Sequence, residues 1–501
     1  MPTEENIIVA IELGSSKVTA VAGKKNPDGV IHILAHEQKP SASFIRKGRI
    51  NNTIKMTQCA NEIKSKIEKK LNKTVSQAYV GIGGMGMHTV SNTETRNFGE
   101  RTKVTQAVID EIKEANRNVM SGERVILDTI PQEYRIGGTM LTNEPVGTLT
   151  ESIEGNFLNI MANATVEQDV RDCFRPAEIA IAGMPISPLI LADAILDEST
   201  RRSGCVFIDM GAETTSVAVY KNNILRHLAV IPLGGANVNR DITSLQIEDD
   251  EAEELKLKYG TALSEEDENE EHEPVQLRDG RHIKYEEFEG LVESRMEEII
   301  LNVNNQIKQS GYDSSQLIGG LIITGGASNM KNIDKAFEKH TGFTKLRFVK
   351  NLRTKQRISG KDNSTFNADG SFNTVLAIID KGGENCCGNV IPTSTLFGEE
   401  GQNGVHTEDA SGTNVTATAT TAQGGKPQAT PNNSQPAMTG TNTTIQEQPT
   451  EEPAEEPAKE PKLGGFFSKF KKLGEKLGRW VSVDDESEDE NNGKKRTDSK
   501  Q

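Results

Sequence analysis

Hydrophobic and polar positions repeat one design twice along this chain. Ile8-Val9-Ala10-Ile11 runs into Glu12-Leu13-Gly14-Ser15-Ser16-Lys17, and Val206-Phe207-Ile208 runs into Asp209-Met210-Gly211-Ala212-Glu213-Thr214-Thr215. Each run predicts a buried strand that reaches a carboxylate, turns on glycine and hydroxyl residues, and continues into a second apolar strand, Val18 to Ala22 or Val217 to Tyr220. Glycine suits such a turn because the backbone comes close to whatever lies above it, while N–H groups and hydroxyls face an anion. A nucleotide phosphate is the expected anion. A third run, Gly320-Leu321-Ile322-Ile323-Thr324-Gly325-Gly326-Ala327-Ser328, is a buried strand ending in a double glycine ahead of a helical stretch, Lys331 to Lys339. A flat Gly-Gly turn lets a planar base lie on the backbone, and a following helix N-terminus adds positive dipole.

Around these runs, Ile54 to Lys69 reads as an amphipathic helix and leads into a strand ending Gly81-Ile82-Gly83-Gly84. A helix is expected near Thr105 to Met120, and Val166 to Glu198 holds helical stretches on either side of Ile179 to Met184. The acidic run Leu263 to Glu271 reads as a solvated loop.

From 384 to 462 the chain is Thr, Asn, Gly, Gln, Pro and Glu with almost no large apolar residue. Such a segment cannot recover its ordering entropy by burial, so a disordered tether spanning about 50 Å is expected. After it, Phe466, Phe470, Leu473, Leu477 and Trp480 recur at helical spacing, with Phe467 beside them and Lys469, Lys472, Lys476 and Arg479 on the other side. That pattern predicts, over 463 to 483, a helix lying in an anionic membrane surface. Gly474 and Gly478 each cost about 1 kcal/mol in a helix. Burying the large side chains at roughly 1.5 to 3 kcal/mol each, with about 1 kcal/mol per basic residue near anionic lipid, exceeds that cost. The segment is therefore expected to fold on lipid. Residues 484 to 501 begin with an acidic block, which either pairs with the basic face or is repelled by lipid.

Composition narrows the function. The 501 residues carry a net charge of −16, which argues against a nucleic-acid-binding surface. The five cysteines, Cys59, Cys173, Cys205, Cys386 and Cys387, are scattered and odd in number, as expected in a reducing compartment. Neither they nor the 8 histidines show metal-ligand spacing. The first residues read as no signal peptide, and no run approaches the roughly 20 apolar residues of a membrane span.

Two phosphate hairpins followed by a strand and a Gly-Gly turn resemble the actin, Hsp70 and sugar-kinase superfold, in which two related domains close on ATP. Within it, Val125-Ile126-Leu127-Asp128-Thr129-Ile130-Pro131-Gln132-Glu133-Tyr134 and Asn143-Glu144-Pro145-Val146-Gly147 are similar to segments of the extra subdomain of FtsA, a bacterial cell-division family. Neither segment has an evident chemical role. The resemblance implies an α/β, actin-like two-lobed ATPase fold with an inserted small α+β subdomain, a disordered C-terminal tether and a terminal amphipathic helix. The first lobe would be 1–84 and 168–203, the insert 85–167, the second lobe 204–383, and the tether, helix and tail 384–462, 463–483 and 484–501. It further implies a peripheral protein at the cytoplasmic face of the inner membrane, at the division septum, that anchors FtsZ, self-assembles into filaments and meets downstream membrane proteins of the divisome. A sugar or acid kinase and a pilus-assembly scaffold of the same superfold are the alternatives.

The resemblance also assigns the cleft. Glu12 and Asp209 would face each other and hold a hydrated Mg²⁺; Gly14, Ser15, Ser16 and Lys17 would cradle ATP phosphates opposite Gly211 and Thr214. Glu253 and Lys256 match the superfold's ribose pair, and Gly325, Gly326 and Ala327 its adenosine turn. Ala212-Glu213 stands where the second phosphate loop usually carries glycines. A carboxylate there repels a γ-phosphate unless it turns away or joins the metal shell, so at most slow ATP hydrolysis is expected. No general base is legible.

Overall fold

Strands β1 (Ile8–Leu13), β2 (Lys17–Lys25) and β3 (Ile31–Pro40) form an antiparallel meander in the computed structural model, which describes residues 6–388 apart from 27–29, 119–122, 265–272, 353–357, 360–365 and 367–368. The unbroken apolar runs of β1 and β2 are buried on both faces, which is why they do not alternate with polar residues. A small hairpin follows, β4 (Ile45–Arg46) and β5 (Arg49–Ile50). Helix α1 (Thr53–Leu71) is started by Asn52, whose side chain accepts the Lys55 N–H, and it buries Met56, Ile63 and Ile67 on one face. It leads to β6 (Gln77–Gly81), parallel to β1.

The chain then builds an insert of β7 (His88–Lys103), α2 (Gln106–Arg117), β8 (Arg124–Ile136), β9 (Met140–Thr142) and β10 (Leu149–Asn163). It returns through α3 (Val166–Phe174), β11 (Ala180–Gly183), α4 (Ser187–Ile195) and α5 (Glu198–Ser203). β11 joins the parallel edge of the first sheet.

A second lobe repeats the first. β12 (Cys205–Met210), β13 (Thr215–Lys221) and β14 (Ile224–Ile231) are again an antiparallel meander. After α6 (Gly235–Thr243), α7 (Asp249–Tyr259), a short hairpin β15 (Val275–Gln276) and β16 (His282–Ile283), and α8 (Tyr285–Gln309), strand β17 (Leu321–Thr324) lies parallel to β12. Helix α9 (Ile333–Thr341) and β18 (Leu346–Phe348) complete it. The order β11-β6-β1-β2-β3 thus recurs as β18-β17-β12-β13-β14.

Three boundaries differ from the sequence reading. The chain re-enters the first lobe before 383: β19 (Ile358–Ser359) pairs with β3, and α10 (Asn373–Lys381) packs on β1, β2, β6 and α4. Here α4 and α10 fill one core with apolar residues of both sheets, Ile8 and Val21 on one side and Phe207 and Ala218 on the other. Nor does the polar segment begin at 384. Cys386 donates its N–H to Ile7 O (2.7 Å), Cys387 bridges Val75, and both side chains are buried in the first-lobe core. Burial pushes the Cys386 thiol up to about 12, so it is held as an inert core group. Most of the acidic run, and the tether, terminal helix and tail from 389 onward, lie outside the described residues.

Third, the insert leaves the first lobe but extends the second sheet. Ala229 of β14 pairs with His88 of β7, giving the nine-stranded order β18-β17-β12-β13-β14-β7-β10-β8-β9. The segment Ile130 to Tyr134, to which sequence gave no chemical role, is the clamp of this junction. Arg226 on β14 makes a two-pronged pair with Glu133 (2.9 and 2.6 Å) and also reaches Gln132 Oε1 at 3.0 Å, while Gln132 Nε2 donates to Leu225 O at 3.1 Å. Two residues on from Gln132, Tyr134 is buried edge-on against Phe157 in the insert's own core.

The Arg226 side chain is only 11% exposed, so deleting its partner leaves a largely buried charge. Glu133→Ala should destabilise the protein by about 1–3 kcal/mol in denaturant unfolding. A loss within error of zero would show that the clamp adds nothing. Hydrogen bonding to Arg226 outweighs burial and holds the Glu133 carboxyl below its ordinary 4.5. Its stabilisation is therefore complete above that value and fades as pH falls through the lower folded one.

Candidate functional site

The repeated sheets place two carboxylates at matching positions. Glu12 on β1 is registered with Thr19 on β2 and Gly81 on β6; Asp209 on β12 is registered with Ser216 on β13 and Thr324 on β17. Each parallel strand then runs into a Gly-Gly turn, Gly83-Gly84 or Gly325-Gly326. Both residues are partly buried, and their carboxylates are close enough to repel.

Burial and then the Asp209 charge push Glu12 up to about 8, against the lowering pull of Lys17, the Thr374 hydroxyl and the Val375 N–H at the start of α10. Burial alone pushes Asp209 to about 6. Glu12 Oε2 is buried and has no hydrogen-bond partner. Two partly buried carboxylates, one with a buried orphan oxygen, fit a hard divalent cation that keeps waters and substrate oxygens as its other ligands. No cluster of three or more His, Cys, Asp or Glu occurs among the described residues, so this pair is not part of an all-protein cage there.

The first hairpin turn is tight because a Cβ at Gly14 would stand 2.6 Å from Lys17 O. Ser41 Oγ donates to Gly14 O (2.6 Å), Ser41 N–H to Ser16 O (3.0 Å), and the Ser15 hydroxyl accepts the Gly48 N–H (2.8 Å). Lys17 extends toward the start of α10, with Nζ 3.4 Å from Ser371 Oγ and 5.3 Å from the Phe372 ring centre. In the second hairpin the Gly211 N–H closes on Thr214 O at 2.8 Å.

Glu213 turns away from its own hairpin. Its carboxylate, 5% exposed, accepts the Lys47 N–H (2.6 Å) and binds Arg46 (3.2 Å) and Arg240. The expected repulsion of a phosphate is thereby answered by two arginines that the sequence pattern did not bring to this loop. Arg240 is held because the next residue, Asp241, forms a buried two-pronged pair with Arg295 of α8 (2.6 and 2.9 Å).

The Gly-Gly turn after β17 behaves differently from the sequence expectation. Gly325 has φ of +92°, and a Cβ there would meet Met210 O at 2.4 Å and Asp209 Oδ1 at 2.6 Å. Gly325 therefore abuts the carboxylate strand, whereas a Cβ at Gly326 would enter open space. The turn runs into a single 3₁₀ turn, Gly326–Asn329, and α9 begins only at Ile333, so that helix N-terminus is not at the glycines. Ala327 lies against Gly235, whose added Cβ would stand 3.1 Å from the Ala327 Cβ.

Glu253 and Lys256 pair on α7 at 2.6 Å. Burial raises the Glu253 carboxyl, but hydrogen bonds from Lys256 and Asn239 outweigh it and hold it low. Just past α7, Ala262 donates its N–H to Lys331 O at 2.8 Å, which ties the end of that helix to the segment following the 3₁₀ turn.

Sequence reasoning missed Gly234-Gly235, at the start of α6. Their neighbours lie so close that a Cβ at Gly234 would meet Gly211 O at 2.5 Å, and Gly235 and Ala236 donate to Gly211 O and Ala212 O at 3.0 and 2.7 Å. The signal was available: an apolar strand ending in paired glycines, as at 325 and 326. Thr374 and Val375 carried no such signal.

With this geometry in view, the model of cell division protein FtsA matches residues 206–376, and that of the SHS2 domain inserted in FtsA matches residues 84–161. The chain is 28% identical over 344 residues to cell division protein FtsA of Neisseria meningitidis serogroup B, covering 68% of this chain and 83% of that protein. Against the Escherichia coli K12 protein of the same description it is 25% identical over 342 residues, covering 66% and 81%. A chain of the PilM-PilN type IV pilus biogenesis complex, at 14% identity and a TM-score of 0.52, covers 75% of this chain and 98% of its own length, a likeness of fold alone. The chain, an actin-like two-lobed fold with an SHS2-type insert, belongs to the FtsA family of cell-division proteins.

Proposed function

We propose that this protein is an ATP-binding adaptor of cell division that lies on the cytoplasmic face of the inner membrane at the septum, holds FtsZ filaments there, and assembles into filaments itself. The observation that carries the nucleotide part is the pair Glu12 and Asp209, partly buried at equivalent strand ends that lead into two glycine and hydroxyl hairpins. Mg²⁺ bound with ATP would neutralise these carboxylates and the phosphates together. Gly14, Ser15, Ser16, Gly211 and Thr214 supply the close backbone and hydroxyls for phosphates, and Lys17 a charge nearby. Gly326 and Ala327 offer open backbone to adenine, with Glu253 and Lys256 at the ribose.

The membrane part rests on the apolar stripe Phe466, Phe470, Leu473, Leu477 and Trp480 and its basic flank. No described helix is long and apolar enough to cross a membrane. FtsZ, further copies of this chain and downstream divisome membrane proteins are the partners that family membership supports.

Calorimetry with Mg·ATP tests the cleft. Asp209→Ala should weaken binding at least about tenfold, roughly 1.4 kcal/mol. Gly326→Val should do so by filling the adenine space without straining a positive φ. Wild-type affinity in both variants would remove the cleft assignment.

Vesicle co-sedimentation tests the anchor. The full chain should pellet with anionic vesicles and bring FtsZ with it, and the double change Phe470→Glu, Trp480→Glu should leave it in the supernatant with ATP binding intact. Pelleting of the double variant at the wild-type level would place membrane attachment elsewhere.

A further inference from the structure

We propose that the turn Arg46–Gly48 is a relay that couples the two phosphate hairpins to the inserted subdomain, with Glu213 as the pin that engages it. The proposal rests on the nucleotide-cleft reading above. The turn touches both lobes at once. Its Gly48 N–H donates to Ser15 Oγ of the first hairpin at 2.8 Å, and its Lys47 N–H donates to Glu213 Oε2 of the second at 2.6 Å. Arg46 adds an ion pair to the same carboxylate at 3.2 Å, and Arg240 fixes that carboxylate from α6. Arg46 is half exposed, so the N–H to a buried carboxylate is the stronger tie.

On its other side the turn lies backbone against backbone on the root of the insert. Met85 N–H donates to Lys47 O at 2.8 Å. A Cβ at Gly48 would stand 2.6 Å from Gly84 Cα, and one at Gly84 would stand 2.5 Å from Gly48 O; both glycines have positive φ, +73° and +103°. Three residues beyond Gly84, Met87 O accepts the Val230 N–H at 2.9 Å, and His88 pairs with Ala229. A short path therefore runs from each phosphate hairpin, through one side-chain hydrogen bond and then the backbone of the turn, to the first strand of the insert.

There is no soft side chain in this contact to absorb a shift, because glycine meets glycine. Ser15 and Glu213 belong to different lobes, so any change in their separation on nucleotide binding must be taken up by the turn. Close-packed backbone passes it to Met85–His88 instead of dissipating it. Glu213 thus acts as a positioning residue: its carboxylate is spent on Arg46, Lys47 and Arg240 and keeps the turn in register with the second hairpin.

Hydrogen exchange of the full chain, with Mg²⁺ alone and with Mg·ATP, reads the relay, and binding of a fluorescent ATP analogue is measured separately. In the wild type, Mg·ATP should slow exchange severalfold both at 44–50 and at 84–90. Glu213→Ala should still bind the analogue but lose the change at 84–90. Glu213→Gln keeps an acceptor for the Lys47 N–H and should restore it. Should Glu213→Ala fail to fold, Glu213→Asp carries the test, being one methylene too short for that N–H while still charged for Arg240. Wild-type protein that binds the analogue without any change at 84–90, or a Glu213→Ala or Glu213→Asp variant that keeps the full change, would overturn the relay and leave the cleft reading standing. Failure of the wild type to bind would remove the cleft reading and the relay with it.

Discussion

Two partly buried carboxylates that disfavour each other's ionisation are the constraint around which this fold is arranged. Glu12 and Asp209 lie where the sheets of the two lobes approach, and neither has a side-chain cation as its principal partner. Burial of a carboxylate without compensation is costly enough that the group takes up a proton instead, as the rise of Glu12 to about 8 records. Thr374 and Val375, at the start of α10, recover part of that cost for one oxygen of Glu12 and leave the other without a partner. A fold that only had to be stable would place apolar residues at both positions. Retaining both carboxylates is costly to the protein alone and is the feature on which the proposed cation and nucleotide site rests.

The surrounding architecture keeps that pair in place by duplication. One strand order, built twice, puts each carboxylate beside a meander partner and a parallel strand that ends in a Gly-Gly turn. The two copies then diverge for identifiable reasons. Gly325 must be glycine because it abuts Asp209, whereas the Gly84 of the first copy abuts the Arg46–Gly48 turn and opens into the insert. The insert in turn is bolted to the second sheet by Arg226, Gln132 and Glu133, so a subdomain that leaves one lobe is held by the other. The short segment that carried the family resemblance thus has a mechanical role.

Much of this was legible in sequence where the signal was local. Strand, glycine turn and strand are set by neighbours in the chain, and both hairpins, α1 and the 321–327 turn could be read from Ile8 to Lys17, Val206 to Thr215, Ile54 to Lys69 and Gly320 to Ser328. What could not be read depends on residues far apart. Arg46 and Arg240 reach Glu213 from 167 and 27 positions away, and Thr374 reaches Glu12 from the far end of the fold. Composition shift placed the end of the folded chain at 384, but a vicinal Cys pair inside a polar stretch is short enough to slot beside β1 without any periodic pattern. The return of α10 to the first lobe was hidden for the same reason: its apolar surface is the same whichever sheet it covers.

Whether the cleft is built around two carboxylates awaiting a cation and phosphate is tested most directly by thermal unfolding of Asp209→Asn and Glu12→Gln with and without Mg·ATP. Replacing either partly buried carboxylate by its neutral amide should raise the melting temperature of the apo protein above about pH 8, where both are ionised. Mg·ATP should raise the melting temperature of the wild type, and the same change should abolish that shift, since a ligand stabilises only the state it binds. Variants that melt lower than wild type when apo, yet keep the full Mg·ATP shift, would contradict the account.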